Sequence, residues 1–166
     1  TYVKSLDPNA FLSQFQEFLQ LNLSYKDIIR YRTHQDLLCI LMAIDHITDD
    51  EMAELEVMLE KYREMIPTAS NEEFDHIDYT FHYKLCLAGH NEIEKQIFLE
   101  WVQLIYISIR ENNRIQNHIM QNREWSYLLH RRLLDAIRKK DLTMCIELYK
   151  EMCARIALTF PETSDK

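Results

Sequence analysis

The sequence predicts an all-α protein, seven helices that can pack as a bundle, and three observations carry that prediction. The 166 residues include one glycine and three prolines. Average usage of roughly 12% for that pair would put about twenty in a chain of this length, and sheets need them for positive φ and tight reversals. Apolar residues recur at spacings of three and four almost throughout, the period of a helix face. Short polar stretches of capping type separate the apolar runs.

Asp7-Pro8 offers an N-cap followed by proline at the first helical position, and Phe11, Phe15, Phe18 and Leu19 make one face of a first helix ending near Asn22. Ser24 and Asp27 open a second helix, whose stripe of Ile28, Ile29, Leu37, Leu38, Leu41 and Ile44 runs to about His46. Thr48 and Glu51 form a capping box, hydroxyl and carboxylate satisfying orphan amides reciprocally, and start a third helix with Met52, Leu55, Met58, Leu59 and Tyr62 up to Pro67. Ser70 and Glu73 form a second box. Their helix reaches the lone glycine, Gly89, a residue suited to the left-handed position after a helix end. Asn91 with Glu94 restarts the chain into a long apolar helix (Ile97, Phe98, Trp101, Leu104, Ile105, Ile109), which fades into the polar stretch Arg110 to Asn122, the best loop or hinge candidate. A sixth helix is expected from about Arg123 to Lys139, and Asp141 caps a seventh with Met144, Cys145, Leu148, Tyr149 and Met152.

Composition excludes several functions. A single glycine leaves no Gly-rich phosphate loop of the P-loop or dinucleotide type. A net charge of −8 repels phosphate backbones, and no Lys/Arg stripe interleaved with aromatics offers to grip nucleic acid. Cys39, Cys86, Cys145 and Cys153 lack the close pairing of a zinc ribbon or redox motif and read as reduced core residues. No apolar run approaches the ~20 residues a bilayer needs, so a single cytoplasmic domain with no membrane partner is expected.

Asp78 and His82 stand four apart in Asp-Tyr-Thr-Phe-His, one turn apart on one helix face, where carboxylate and imidazole can converge on a cation. By itself the pair is also what chance places on any polar face. His130 lies in Leu-Leu-His-Arg-Arg-Leu-Leu-Asp-Ala-Ile beside the inward side formed by Leu129, Leu133 and Ile137. An imidazole there is either a ligand or a core histidine bonded to a neighbour. His34, His46, His76, His90 and His118 read as surface or capping residues.

Asp78-x3-His82, then Asn91, then His130 leading into Leu-Leu-Asp-Ala-Ile and Asp141, together resemble the FadR C-terminal (FCD) effector domain of GntR-family transcription regulators. Arg32-Thr-His-Gln-Asp36 and the following Leu-Leu-Cys-Ile-Leu-Met-Ala43 resemble the family's R-x-x-[LI]-E opening, with Asp36 in place of Glu. Thr48 to Leu59 resembles the next helix. Thr1-Tyr2-Val3 is similar to the tail of the wing that closes a preceding winged helix, so residues 1–6 are expected to be a wing or linker remnant, 7–159 the effector-binding and dimerisation domain, and 160–166 a loose tail. The resemblance implies an all-α antiparallel bundle of six to seven helices, and a homodimer that binds a small-molecule effector and reaches DNA only through an N-terminal domain.

Many domains of the family hold a divalent metal with one Asp and three His. Asp78, His82 and His130 match three of those ligands, and Met152 occupies the fourth position, so a zinc, nickel or manganese site is implied that the loss of the last histidine weakens. A thioether is a soft ligand that suits copper(I) better than those ions. Open positions can be taken by water or an effector carboxylate. The implied effector site comprises Arg32, Asp78, His82, His130 and Met152. Arg32 can bind a carboxylate through two parallel hydrogen bonds, or pair with Asp36 or Asp27. Arg110 and Arg114 read as helix-end charges, and Phe81, Trp101, Tyr106 and Met152 as cavity wall or plain core. Three further readings are a metal-free effector domain that binds its ligand in the same cavity, as the resemblance also allows, a metal-dependent hydrolase or oxygenase using the same Asp and His residues, for which no general base can be nominated, and a structural helical adaptor, which would leave Asp78 and His82 unexplained.

Overall fold

The computed structural model describes residues 25–100 and 119–159, and among these the chain is entirely helical apart from turns and short links. Its six helices are α1 (Tyr25–His46), α2 (Asp49–Met65), α3 (Asn71–Leu87), α4 (Glu92–Glu100), α5 (Ile119–Arg138) and α6 (Leu142–Thr159). The expected helix from Asp7 to Asn22, the continuation of α4 past Glu100, residues 110–118 of the expected hinge, and the segments 1–6 and 160–166 lie outside the described residues.

Local chemistry sets the helix starts. Thr48 Oγ1 accepts from Glu51 N (3.3 Å) while Thr48 N donates to the Glu51 carboxylate (2.9 Å), and Asp49, Asp50 and Glu51 place negative charge at the positive end of the α2 dipole. The Ser70 and Glu73 box repeats this at α3, with distances of 3.2 and 2.8 Å. Asn91 Oδ1 accepts from Glu94 N and Asp141 Oδ1 from Met144 N, each at 3.0 Å, at the starts of α4 and α6.

Helix α5 begins at Ile119, earlier than the Arg123 expected from the polar run. Polarity does not end a helix, and residues 119–122 contain neither Gly nor Pro to do so. The start of α5 is instead anchored by buried Arg123, which donates to Ile66 O (3.2 Å), Ala69 O (2.8 Å) and Asn71 Oδ1 (2.8 Å) in the α2–α3 link. Its guanidinium lies 4.6 Å from the centre of the Phe74 ring.

Helix α3 packs against α1 and α2, α5 against α2 and α6, and α1 also touches α5 and α6. The main core unites Ile40, Ala43, Leu55, Leu59, Phe81, Leu85, Leu134, Ile137, Cys145 and Leu148. Each large apolar side chain buried there stabilises the bundle by about 1.5–3 kcal/mol. Two satellite clusters flank it, Tyr62 with Ile66 and Phe74, and Cys39 with Cys86 and Phe98.

Gly89 corrects one expectation. It does not take the left-handed conformation; His90 does, at φ 51°. The glycine is required by proximity, because a Cβ on Gly89 would sit 2.7 Å from Met42 Cβ on α1. Gly89→Ala should therefore destabilise the fold by about 1–3 kcal/mol through overpacking, measured as a lower urea midpoint at unchanged slope; an unaltered midpoint would refute the close approach.

Candidate metal and effector site

The buried face of α3 reads Phe74, Asp75, Asp78, Phe81, His82, Leu85 and Cys86. Asp78 and His82 thus continue the apolar stripe at helical spacing and are carried into the interior by the same periodicity that buries Phe81 and Leu85. His130 comes from the inner face of α5, between Leu129 and Leu133. One ligand atom from each of Asp78, His82 and His130 lies within 4.8 Å of the other two, and all three residues are buried.

Each member is held by neighbours. Tyr62 Oη on α2 donates to Asp78 Oδ1 (2.7 Å), Ser126 Oγ on α5 donates to the same oxygen (3.2 Å), and the two hydroxyls are 2.8 Å apart. His82 Nδ1 lies 3.1 Å from Asp36 Oδ1 on α1, which leaves Nε2 as the atom for a further partner. A carboxylate behind an imidazole in this way fixes the tautomer and the ring orientation. His130 stacks on Phe81, ring centres 4.3 Å apart, and meets His82 and Tyr62 edge-on. Its Nδ1 has no hydrogen-bond partner, the Asp78 Oδ1 atom being 3.8 Å away.

Electrostatics follow from this packing. Burial pushes the Asp78 carboxyl up, but His130, His82, Arg32 and the Tyr62 hydroxyl outweigh it and hold the group below the usual carboxylate range. Asp36 is likewise lowered, burial being overcome by His82 and Arg32. Burial and the Asp78 charge push the Tyr62 phenol well up, so it stays a donor. Burial lowers His130 to about 4 against the opposing pull of Asp78, leaving a neutral imidazole at pH 7.

Asp36, His82, His130, Tyr149 and Met152 line a cavity of about 20 Å³ together with Ile40, Leu85, Leu129, Leu133 and Leu148. That holds one water or one ion, since a water needs roughly 10–15 Å³ on this measure, and an organic acid of several heavy atoms needs side chains to move. The orphaned Nδ1 of His130 and a set of one carboxylate and two imidazoles suit zinc, nickel or manganese.

Arg32, expected at the effector site, is buried with Nε 3.5 Å from Asp36 Oδ2 and no hydrogen-bond partner at that nitrogen. The other histidines in the described residues are exposed, His34 bonding Arg30 O and His90 pairing with Glu51. Trp101, Tyr106, Arg110, Arg114 and His118 lie outside the described residues. Sequence reasoning missed Asp36 as the partner of His82, and Tyr62 and Ser126 as the partners of Asp78. For Tyr62 the signal was available: a hydroxyl in an apolar stripe requires an acceptor.

The described helices form a bundle with a buried carboxylate–imidazole cluster, and none is long and apolar enough to cross a membrane. Residues 27–154 match the family model described as the FCD domain, and the chain belongs to that family. An FCD domain is the effector-binding regulatory domain of GntR-type regulators. Comparison with curated proteins and with solved structures finds no match to the chain.

Tyr62→Phe should cost about 1–3 kcal/mol in denaturant unfolding, because it strips a donor from a buried carboxylate; a neutral effect would show that Ser126 alone satisfies Asp78. In chelator-treated protein His130 should also make stability depend on pH. With a folded pKa of about 4 against about 6.5 unfolded, the unfolded chain binds the extra proton, so stability is complete above pH 6.5 and falls as the pH drops toward 4. Between pH 7 and 5 the loss should be about 2 kcal/mol, and His130→Gln should remove that slope.

Proposed function

We propose that this domain is the ligand-sensing and dimerising module of a GntR/FadR-type transcription regulator, and that Asp78, His82 and His130 form the floor of its effector site. The buried cluster of Asp78, His82 and His130, whose two imidazoles line a small cavity together with Asp36, is the observation that carries this reading. The FCD family membership supports a regulatory rather than a catalytic role.

A divalent cation held by these residues would supply open coordination positions for an effector carboxylate. Asp78 brings the negative charge, with Tyr62 and Ser126 orienting its oxygen. His82 is aimed by Asp36, and His130 is kept neutral and ready to donate its lone pair by burial. Met152 stands at the cavity wall where the family's last histidine is expected, which favours a weak, exchangeable site over a closed structural one. Arg32 lies behind Asp36 and can turn its guanidinium to a small organic acid once that ion pair loosens.

Sensing then needs no chemistry. The effector must bind two arrangements of the bundle with different affinity, and about 1.4 kcal/mol of difference shifts their ratio tenfold. In a homodimer such a shift changes the spacing of two attached DNA-binding domains, the two-fold symmetry of the protein matching that of an operator.

Elemental analysis with native mass spectrometry tests the metal. After incubation with zinc, nickel or manganese the domain should retain the ion, His82→Ala and His130→Ala should lose it, and Met152→His should bind more tightly. Asp36→Asn should weaken uptake by roughly 10–100-fold, the usual cost of removing the partner of a ligating histidine. Unchanged metal content in both alanine variants would overturn the reading.

A further inference from the structure

A second cluster of donor atoms lies away from that site. Cys39 on α1, Cys86 on α3 and Glu94 on α4 are all buried, and one ligand atom from each lies within 4.8 Å of the other two. Cys39 Sγ is 3.9 Å from Glu94 Oε1. We propose that Cys39, Cys86 and Glu94 form a second cation site, for a thiophilic divalent ion such as zinc, that ties α1, α3 and α4 together.

Two features separate this cluster from ordinary core. Glu94 is only 4% exposed, yet among the described residues it forms no ion pair, and its carboxylate faces a thiol, a weak donor. A carboxylate taken from water without a cation is costly, and the interior around it is apolar and aromatic, with Phe98, Tyr79 and Tyr83 packed on the two cysteines. The spacing also fits. Zinc bonds of about 2.3 Å to sulfur and 2.1 Å to oxygen at tetrahedral angles set donor atoms roughly 3.6–3.8 Å apart, close to the 3.9 Å between Cys39 and Glu94. The ends are already placed: Cys86 closes α3 and Glu94 accompanies the Asn91 cap of α4.

Without a cation Cys39 keeps its proton, its thiol being raised by its hydrogen bond with Cys86 and by burial. Binding forms two metal–sulfur bonds and one metal–oxygen bond, releases the two thiol protons to solvent and consumes no oxidant or reductant. The fourth position is left to water or an exchangeable donor.

The test uses the reduced, chelator-stripped full chain, titrated with cobalt(II) as the optical probe and zinc as the competitor. A thiolate-to-cobalt charge-transfer band should appear in the near ultraviolet and bleach on adding zinc. Cys39→Ser and Cys86→Ser should abolish it, Glu94→Gln should weaken cobalt binding roughly tenfold, and His130→Ala, which disables only the first site, should retain it. Zinc should also slow alkylation of Cys39 and Cys86, a readout on the unmutated chain that does not depend on the variants folding. No charge-transfer band in the wild-type chain, a band that survives both serine substitutions, or equal alkylation of Cys39 and Cys86 with and without zinc would overturn the proposal.

Discussion

Asp36 and Asp78 are ionised carboxylates inside an apolar bundle, and the need to compensate them governs the centre of the molecule. Burial works against both charges, and each stays ionised only because cationic or hydrogen-bonding groups from other helices reach it. Asp78 on α3 draws in Tyr62 from α2 and Ser126 from α5, while Asp36 on α1 draws in His82 from α3. Four helices are therefore bound to one polar seam. Removing one partner from such a network costs more than the net contribution of the bond, because a desolvated charge is left behind.

The same seam explains why the cluster suits a ligand better than it suits a passive core. His130 is pressed against Phe81 and kept neutral, yet its Nδ1 finds nothing to bond. Buried polar atoms in native proteins are nearly always satisfied, so an unpartnered nitrogen beside a cavity of about 20 Å³ fits the proposed ligand site. The Arg32 Nε and the Gln35 side-chain amide, buried on α1 near Asp36, are orphaned in the same way. Regulation by population shift requires a region whose satisfaction differs between bound and free states, and under the proposed function these atoms are the candidates for it.

Much of this architecture was legible in the residue pattern. The caps at Thr48, Ser70, Asn91 and Asp141 are local, each decided within three residues, and they sit where the polar punctuation puts them. Asp78 and His82 were legible because they share one helix and replace apolar residues in its inward stripe. The pairing of Asp36 with His82 was not, since it arises only when α1 packs on α3, and no spacing in the chain encodes that meeting; Tyr62 signalled a need for an acceptor but not that Asp78 would be it. Gly89 misled for a related reason. A glycine after a helix suggests a special backbone angle, whereas its actual constraint is the flank of α1, contributed by Met42 far back in sequence. The grouping of Cys39, Cys86 and Glu94 depends on three helices and was equally invisible.

Arg123 gives α5 a mechanical character. Its guanidinium is clasped by two carbonyls and an amide oxygen at the α2–α3 corner and lies against Phe74, so the first turn cannot slide along its axis without breaking all of these at once. His130 stands about 10 Å further along the rod and Arg138 about 22 Å, at 1.5 Å per residue. The far end is tethered to Glu56 by an exposed ion pair, which is cheap to break. Helix α5 is thus held firmly at one end and loosely at the other, so a displacement at the imidazole about a fixed Arg123 would be roughly doubled at Arg138.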